Sequence, residues 1–314
     1  MTSTLIVKLG ATGDVVRTTP LLSRLDGEIV WITEGKNKSL VDPLSDRIRC
    51  FSWEERQSIP DVRYDLVINL EDTLEVARYL NGIRHRQWFG AYLDNNDTLT
   101  YTEDSRRWFD MSLISVYGRD KADRLKFENR ATYQELIFAG LGFDFKGEEY
   151  HLPAPVRTTL CGDIALAAEA GPVWPMKKWA YYPDLKKQLE QDGLVVNILP
   201  KRESLLEHLG DVANHKCLVG GDSLPMHFAL GTRTRCVSLF TCTSPWEIYE
   251  YGLQKKIVSP LLGKYFYRRT YDEHATAAIG LEEVLAAAME QIAGPHSVKI
   301  SGDSCGITSQ AAQE

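Results

Sequence analysis

Val7-Lys8-Leu9-Gly10-Ala11-Thr12-Gly13-Asp14-Val15-Val16-Arg17-Thr18-Thr19-Pro20 is the stretch from which the fold follows. An apolar run over residues 5–9 ends in a turn of small residues that holds Gly10 and Gly13. Beyond it, Val15, Val16, Leu21, Leu22 and Leu25 recur at helical spacing. Strand, glycine turn and helix N-terminus is how an α/β domain builds a site at the carboxyl edge of its sheet. The one acid in the turn, Asp14, has two readings. Aspartate is a good N-cap, and a lone acid in such a turn is also a catalytic candidate.

The pattern repeats downstream. Residues 28–33, 49–51, 64–70 and 88–92 read as strands, and Glu71-Asp72-Thr73 is a start signal for a helix over 74–80. Strands alternating with helices at this spacing predict a parallel sheet covered on both faces. Residues 98–130 lack regular periodicity and mix aromatics with Arg106, Arg107, Arg119, Lys121, Arg124, Lys126 and Arg130, so an irregular, functional excursion is expected there. A solvated face is the plainer reading of the same stretch. Residues 129–140 read as a helix ending at a glycine, and 143–159 have linker composition.

A second α/β series follows. Strands are expected at 163–168, 194–199, 216–222 and 235–240, with helices at 182–192, 204–212, 224–230 and 281–292. The chain therefore divides into residues 1–155, residues 156–293 and a disordered tail over 294–314. Two such halves place a ligand in the cleft where their sheet edges meet.

Composition narrows the function. Hydrophobic residues are 44% and charged residues 25% of 314, the balance of a soluble globular protein. A net charge of -7 speaks against a general nucleic-acid binder but allows a local basic pocket. The six cysteines (50, 161, 217, 236, 242 and 305) form no short cluster, so reduced thiols and no zinc site are expected. No signal-peptide pattern opens the chain and no run approaches a membrane span. The expectation is a cytoplasmic protein whose contact with the inner membrane, if any, is peripheral.

Loops from three strand ends carry polar groups. The first holds Asp14. The second, residues 170–179, includes Lys177 and Lys178, and the third runs Gly220-Gly221-Asp222-Ser223-Leu224-Pro225-Met226-His227. Glycine turns and a helix N-terminus suit a phosphate, and a lysine adds a point charge. The second and third loops together read as a diphosphate cradle. Asp222 also reads as a cap, and His227 as a satisfied histidine on a helix face.

At these residues the chain resembles the ADP-heptose:lipopolysaccharide heptosyltransferases, glycosyltransferase family nine. Lys8 to Val15 with Thr18-Thr19-Pro20 is similar to the family's opening loop. Lys177-Lys178-Trp179 is similar to its Lys-x-Trp element, and residues 221–229 with 239–245 to its Asp-(Ser/Thr)-Gly-x-x-His element and the loop after it. Residues 133–142 resemble the helix before the linker. The resemblance reaches to about residue 293. It implies a GT-B fold, two Rossmann-like domains facing across a cleft, with the acceptor on the N-terminal side and the nucleotide-sugar donor on the C-terminal side. It implies Asp14 as the general base and Lys177 as the group that stabilises the departing diphosphate. Lys178, Gly221, Asp222, Ser223, His227 and Thr243 would bind the donor; Gly10, Thr12, Gly13, Arg106 and Arg107 would face the acceptor. It implies inversion, ADP-heptose as donor, a glycan or phosphorylated acceptor such as lipopolysaccharide core, no metal and no cofactor. Leu224 replaces the family's glycine, Thr241-Cys242 replaces its Gly-Pro, and only Glu203 offers itself as the acid for the nucleotide ribose. Another nucleotide sugar with a small-molecule or protein acceptor, or a binding protein without turnover, are the alternatives.

Overall fold

A computed structural model describes residues 2–294. The expected tail beyond Gly294 and Cys305 lie outside the described residues.

The N-terminal half opens on β1 (Ser3–Val7), which leads into α1 (Thr12–Thr18). Then come β2 (Glu28–Thr33), the single turn α2 (Lys38–Val41), β3 (Ile48–Ser52), β4 (Tyr64–Asn69), α3 (Leu74–Leu80) and β5 (His85–Leu93). All five strands are parallel. Thr73 caps α3 through its hydroxyl, as the start signal predicted. An edge strand β6 (Leu99–Tyr101) runs antiparallel to β5, giving the order β3-β2-β1-β4-β5-β6. The order reverses between β1 and β4, and ligands of open α/β sheets bind outside such a reversal.

Residues 98–130 are more ordered than expected. Besides β6 they hold α4 (Arg106–Phe109) and α5 (Arg119–Glu128). In α5 only Ala122 is buried, so the helix has no apolar stripe for periodicity to detect. Its Arg, Lys, Glu and Leu residues are good helix formers, and Arg119 pairs with Asp123 one turn on at 2.9 Å. Next, α6 (Tyr133–Gly140) starts later than expected, at a capping box between Thr132 and Glu135. Residues 141–161 contain no helix or strand.

The C-terminal half comprises β7 (Gly162–Ala167), α7 (Tyr182–Gln191), β8 (Val196–Ile198), α8 (Leu205–Ala213), β9 (His215–Gly221), α9 (Leu224–Thr232) and β10 (Arg235–Phe240). It is completed by β11 (Gln254–Val258), α10 (Leu262–Tyr265), α11 (Glu273–Ala277) and α12 (Leu281–Ala293). The parallel order β11-β10-β9-β7-β8 reverses between β9 and β7. The strand β11, an edge carrying Lys255 and Lys256, was not anticipated; charged edge strands lack the apolar pattern of buried ones. Short α10 and α11 were not anticipated either.

The two halves meet where α1 packs on α9. Val16, Leu40 and Tyr150 from the N-terminal side join Met226, Phe228 and Ala229 in one buried cluster. Gly13 was expected to bring backbone close to a ligand. Its vacancy is filled instead by protein: a Cβ there would stand 2.8 Å from His227 Cδ2. The His227 ring is 4% exposed and has little room to yield. Gly13→Ala should therefore lower stability to urea by about 1–3 kcal/mol. In a His227→Ala background the same change should cost much less, a non-additivity that a double-mutant cycle reads directly.

Candidate functional site

A cleft of about 830 Å³ lies between the carboxyl edges of the two sheets. From the N-terminal half it is lined by Lys8, residues 10–14, Arg17, Glu71 and Lys126, among others. From the C-terminal half come Trp174, Lys177, Asp222, Ser223, His227, Thr243, Glu247, Tyr267 and Arg269. Both sheet reversals open here, since β1 and β4 lead to Lys8, Asp14 and Glu71, and β7 and β9 lead to Lys177 and Asp222.

Asp14 is not the cap of α1. Ala11 is the N-cap, without a side-chain hydrogen bond, and Asp14 sits inside the first turn. Its carboxylate meets Arg17 at 3.0 Å and stands 3.9 Å from Lys8 Nζ. Burial works to raise its pKa, but Arg17, Lys8 and more distant cations outweigh burial and hold it below the usual carboxylate value. Lys8 is itself buried, and donates to Glu71 at 2.7 Å. Burial favours its neutral amine, yet Glu71 and Asp14 keep it charged and raise its pKa. Arg17 also lies 3.8 Å from Glu247 and stacks on the Tyr133 ring at 4.2 Å.

The Lys-Lys-Trp segment alternates. Trp179 is buried against the C-terminal sheet and donates its indole N–H to the Ile279 carbonyl at 2.9 Å. With that anchor, Lys177 turns into the cleft and Lys178 turns out, exposed and 3.3 Å from Glu169. Lys177 Nζ meets the Asp222 carboxylate at 3.0 Å. Asp222 is partly buried, and its desolvation alone would raise its pKa; Lys177 and the other nearby groups drive it far below the ordinary range. Ser223, not Asp222, occupies the N-cap position of α9, and it makes no side-chain cap bond. Gly221 backs onto the Lys177 carbonyl, which a Cβ would approach to 3.2 Å, so the glycine lets these two loops lie together. Leu224 lines the cleft and packs on the buried cluster beneath α9.

Of the residues read from sequence, Asp14, Gly10, Thr12, Gly13, Lys177, Asp222, Ser223, His227 and Thr243 converge on this cleft. Gly221 lines a small adjoining recess with Lys177 and Asp222. Thr12 is engaged in holding the loop, donating to Asn37 at 2.8 Å. Lys178 does not face the cleft. Neither do Arg106 and Arg107: Arg106 is taken by Glu103 at 2.7 Å and by the Tyr117 hydroxyl at 2.9 Å, and Arg107 lines a separate groove with Arg130 and Glu135. The cations of that basic stretch that do reach the cleft are Arg119 and Lys126. Glu203 does not line it. Sequence reasoning gave no role to Lys8, Arg17, Glu71, Glu247 or Tyr267. Lys8 and Glu71 each follow a strand end, a usable signal once β1 and β4 are known to be neighbours. Glu247 and Tyr267 lie in loops without any motif.

His227 is held as a neutral ring. Burial, then the Arg17 charge, lower its pKa to about 4 against the opposing pull of Asp222 and Asp14. Its Nδ1 lies 3.3 Å from the Tyr150 hydroxyl. The unfolded chain protonates this imidazole near pH 6.5, so between there and about pH 4 the unfolded state binds the extra proton. The His227 contribution to stability must then fall as pH drops through that window, by on the order of 3 kcal/mol, and below it the loss continues through Asp14 and Asp222, whose carboxyls are held under the usual value. Urea unfolding between pH 7 and pH 4 should show that loss, and His227→Gln should flatten it.

No family model matches the chain, and no curated protein matches it by sequence. Solved structures do. The chain superposes on E. coli heptosyltransferase WaaC with ADP at TM-score 0.60 and 16% identity, covering 92% of this chain and 99% of that one. A glycosyl transferase family 9 protein from Veillonella parvula gives TM-score 0.56 at 15% identity, over 93% and 97%. The dodecameric, iron-containing heptosyltransferase TibC of E. coli, in complex with ADP-D-beta-D-heptose, gives 0.57 at 11%, over 93% and 77%. The chain thus has the fold of these glycosyltransferases, the two Rossmann-like domains of the GT-B class that its sequence led us to expect.

Proposed function

We propose that the protein is a glycosyltransferase. It moves a heptose or related sugar from a nucleotide diphosphate, ADP-heptose in the first instance, to a hydroxyl of a glycan-type acceptor such as lipopolysaccharide core. The observation that carries this reading is the opposition, across one cleft, of an ionised carboxylate on the N-terminal half and a lysine beside a helix N-terminus on the C-terminal half. An acceptor deprotonated from one side and a diphosphate departing to the other is what glycosyl transfer requires. Neighbours of the same fold bind ADP and ADP-heptose.

The steps follow from the side chains. The donor's diphosphate rests on Lys177, Ser223 and the N-terminal turn of α9, whose dipole favours an anion. Lys177 gives two of its three N–H groups to the Asp222 carbonyl and carboxylate, and one remains for phosphate. Asp222 fixes the ammonium in place. His227, being neutral, contributes hydrogen bonding and shape but no charge. The acceptor hydroxyl approaches from the side of Asp14 and attacks the anomeric carbon. Its proton passes to the Asp14 carboxylate as the bond to the diphosphate breaks, and Lys177 takes up the charge that leaves with it. A single in-line displacement inverts the anomeric centre. In this picture the positive field at the leaving group comes from Lys177 and the helix rather than from a metal.

Asp14 is a weak base while Arg17 and Lys8 hold it. Its basicity rises if the guanidinium moves toward Glu247, its second carboxylate at 3.8 Å. Arg119 and Lys126, rather than Arg106 and Arg107, are the cations placed to meet an acidic or phosphorylated acceptor. No helix among the described residues is long and apolar enough to cross a membrane. We place the reaction in the cytoplasm, with any membrane contact peripheral. Asp14→Asn should lower sugar transfer by about a hundredfold to ten-thousandfold while donor affinity stays within a few-fold. Lys177→Met should weaken both donor binding and turnover. Transfer undiminished in Asp14→Asn would remove the base assignment, and absence of binding to any nucleotide sugar in a thermal-shift panel would remove the donor.

A further inference from the structure

One buried carboxylate of the cleft has no contact with substrate in the steps above. Glu247 sits in the loop between β10 and β11, 4% exposed, and lines the cleft. Its main chain is pinned, the carbonyl accepting from Tyr133 N at 3.0 Å. Its side chain has cations near it but little bonding: Oε2 lies 3.8 Å from Arg17, and Oε1 lies 3.4 Å from Lys126. Oε1 accepts no hydrogen bond among the described residues. On the same loop Thr243, also 4% exposed and also lining the cleft, has a buried Oγ1 without a partner among them. Buried polar atoms are as a rule hydrogen-bonded, and leaving one unpaired is costly. Two such atoms on one wall of an open cleft call for a ligand.

The chemistry selects the kind of ligand. A carboxylate repels phosphate and accepts from hydroxyls, so this wall suits the sugar and not the diphosphate, whose place is at Lys177. Position selects which sugar. One guanidinium, Arg17, touches both Asp14 at 3.0 Å and Glu247 at 3.8 Å. The base must stand beside the anomeric carbon, so the ring being transferred lies next to Glu247. We propose that Glu247 recognises the transferred sugar, its Oε1 accepting a hydrogen bond from a ring hydroxyl with Thr243 Oγ1 supporting a neighbouring one, while Arg17 and Lys126 flank the carboxylate. Glu247 is then a specificity residue for the donor. It selects hydroxyl-bearing sugars and penalises donors lacking the contacted hydroxyl.

The inference rests on the donor reading above, and the test separates the two. Calorimetric titration of ADP and of ADP-heptose is run on the wild type, Glu247→Gln and Thr243→Val. ADP carries no sugar to be transferred, so both variants should bind it within twofold of wild type. ADP-heptose should bind about tenfold or more weakly to Glu247→Gln and several-fold more weakly to Thr243→Val. Equal weakening for both ligands marks a structural role and overturns the inference, as does undiminished binding of ADP-heptose. A wild type that binds neither ligand, or ADP alone, removes the donor reading and this inference with it.

Discussion

The first turn of α1 against the side of α9 is the contact on which the rest depends. It needs a residue without a side chain at Gly13, because the His227 ring fills the space. It also needs apolar backing, which Val16 and the cluster beneath α9 provide. Once these helices touch, the carboxyl edges of two separate sheets face one another, and groups more than 160 positions apart in sequence become neighbours. An apolar joint below and a polar cleft above are two sides of the same packing.

The cleft concentrates charge in a place that disfavours it. Desolvated ions are costly unless paired, and the pairing here is systematic: Lys8 with Glu71, Lys177 with Asp222, Arg17 with Asp14 and Glu247. Where a further cation would have no carboxylate to itself, His227 stays neutral. The consequence is a cleft in which Asp14 is ionised but restrained by Arg17, and Lys177 is partly engaged by Asp222. Glu247 and Thr243 are the members of this wall left without hydrogen-bond partners on oxygens they bury.

Much of the fold was legible in the chain. Strands such as β2 and β4 are mainly apolar runs holding Val and Ile, the pattern that buried parallel strands favour. The Thr73 cap was visible for the same local reason, a hydroxyl three residues before an amide that needs an acceptor. What escaped was whatever is not written in apolar periodicity: the polar helix α5, the lysine-bearing edge β11 and the short turns after it. The site shows the same division. That Asp14, Lys177 and Asp222 line one cleft could be anticipated because each follows a strand and a turn. Arg106 and Arg107 do not line the cleft, because a basic stretch does not say which of its cations points inward; Arg119 and Lys126 do line it.

By itself the sequence determined the two α/β halves, their parallel sheets and the three strand-end loops that carry chemistry, because hydrophobic period and turn residues act over a few positions. Only the tertiary structure decided how those loops are used. It showed Gly13 as a packing contact, Asp14 as an ion-paired residue inside a helix and not its cap, Lys178 as turned away, and Arg17 and Glu247 as the link between the halves. Strand order and helix-on-helix packing decide which charges share a cleft, and those are properties of distant segments brought together, which no local pattern encodes.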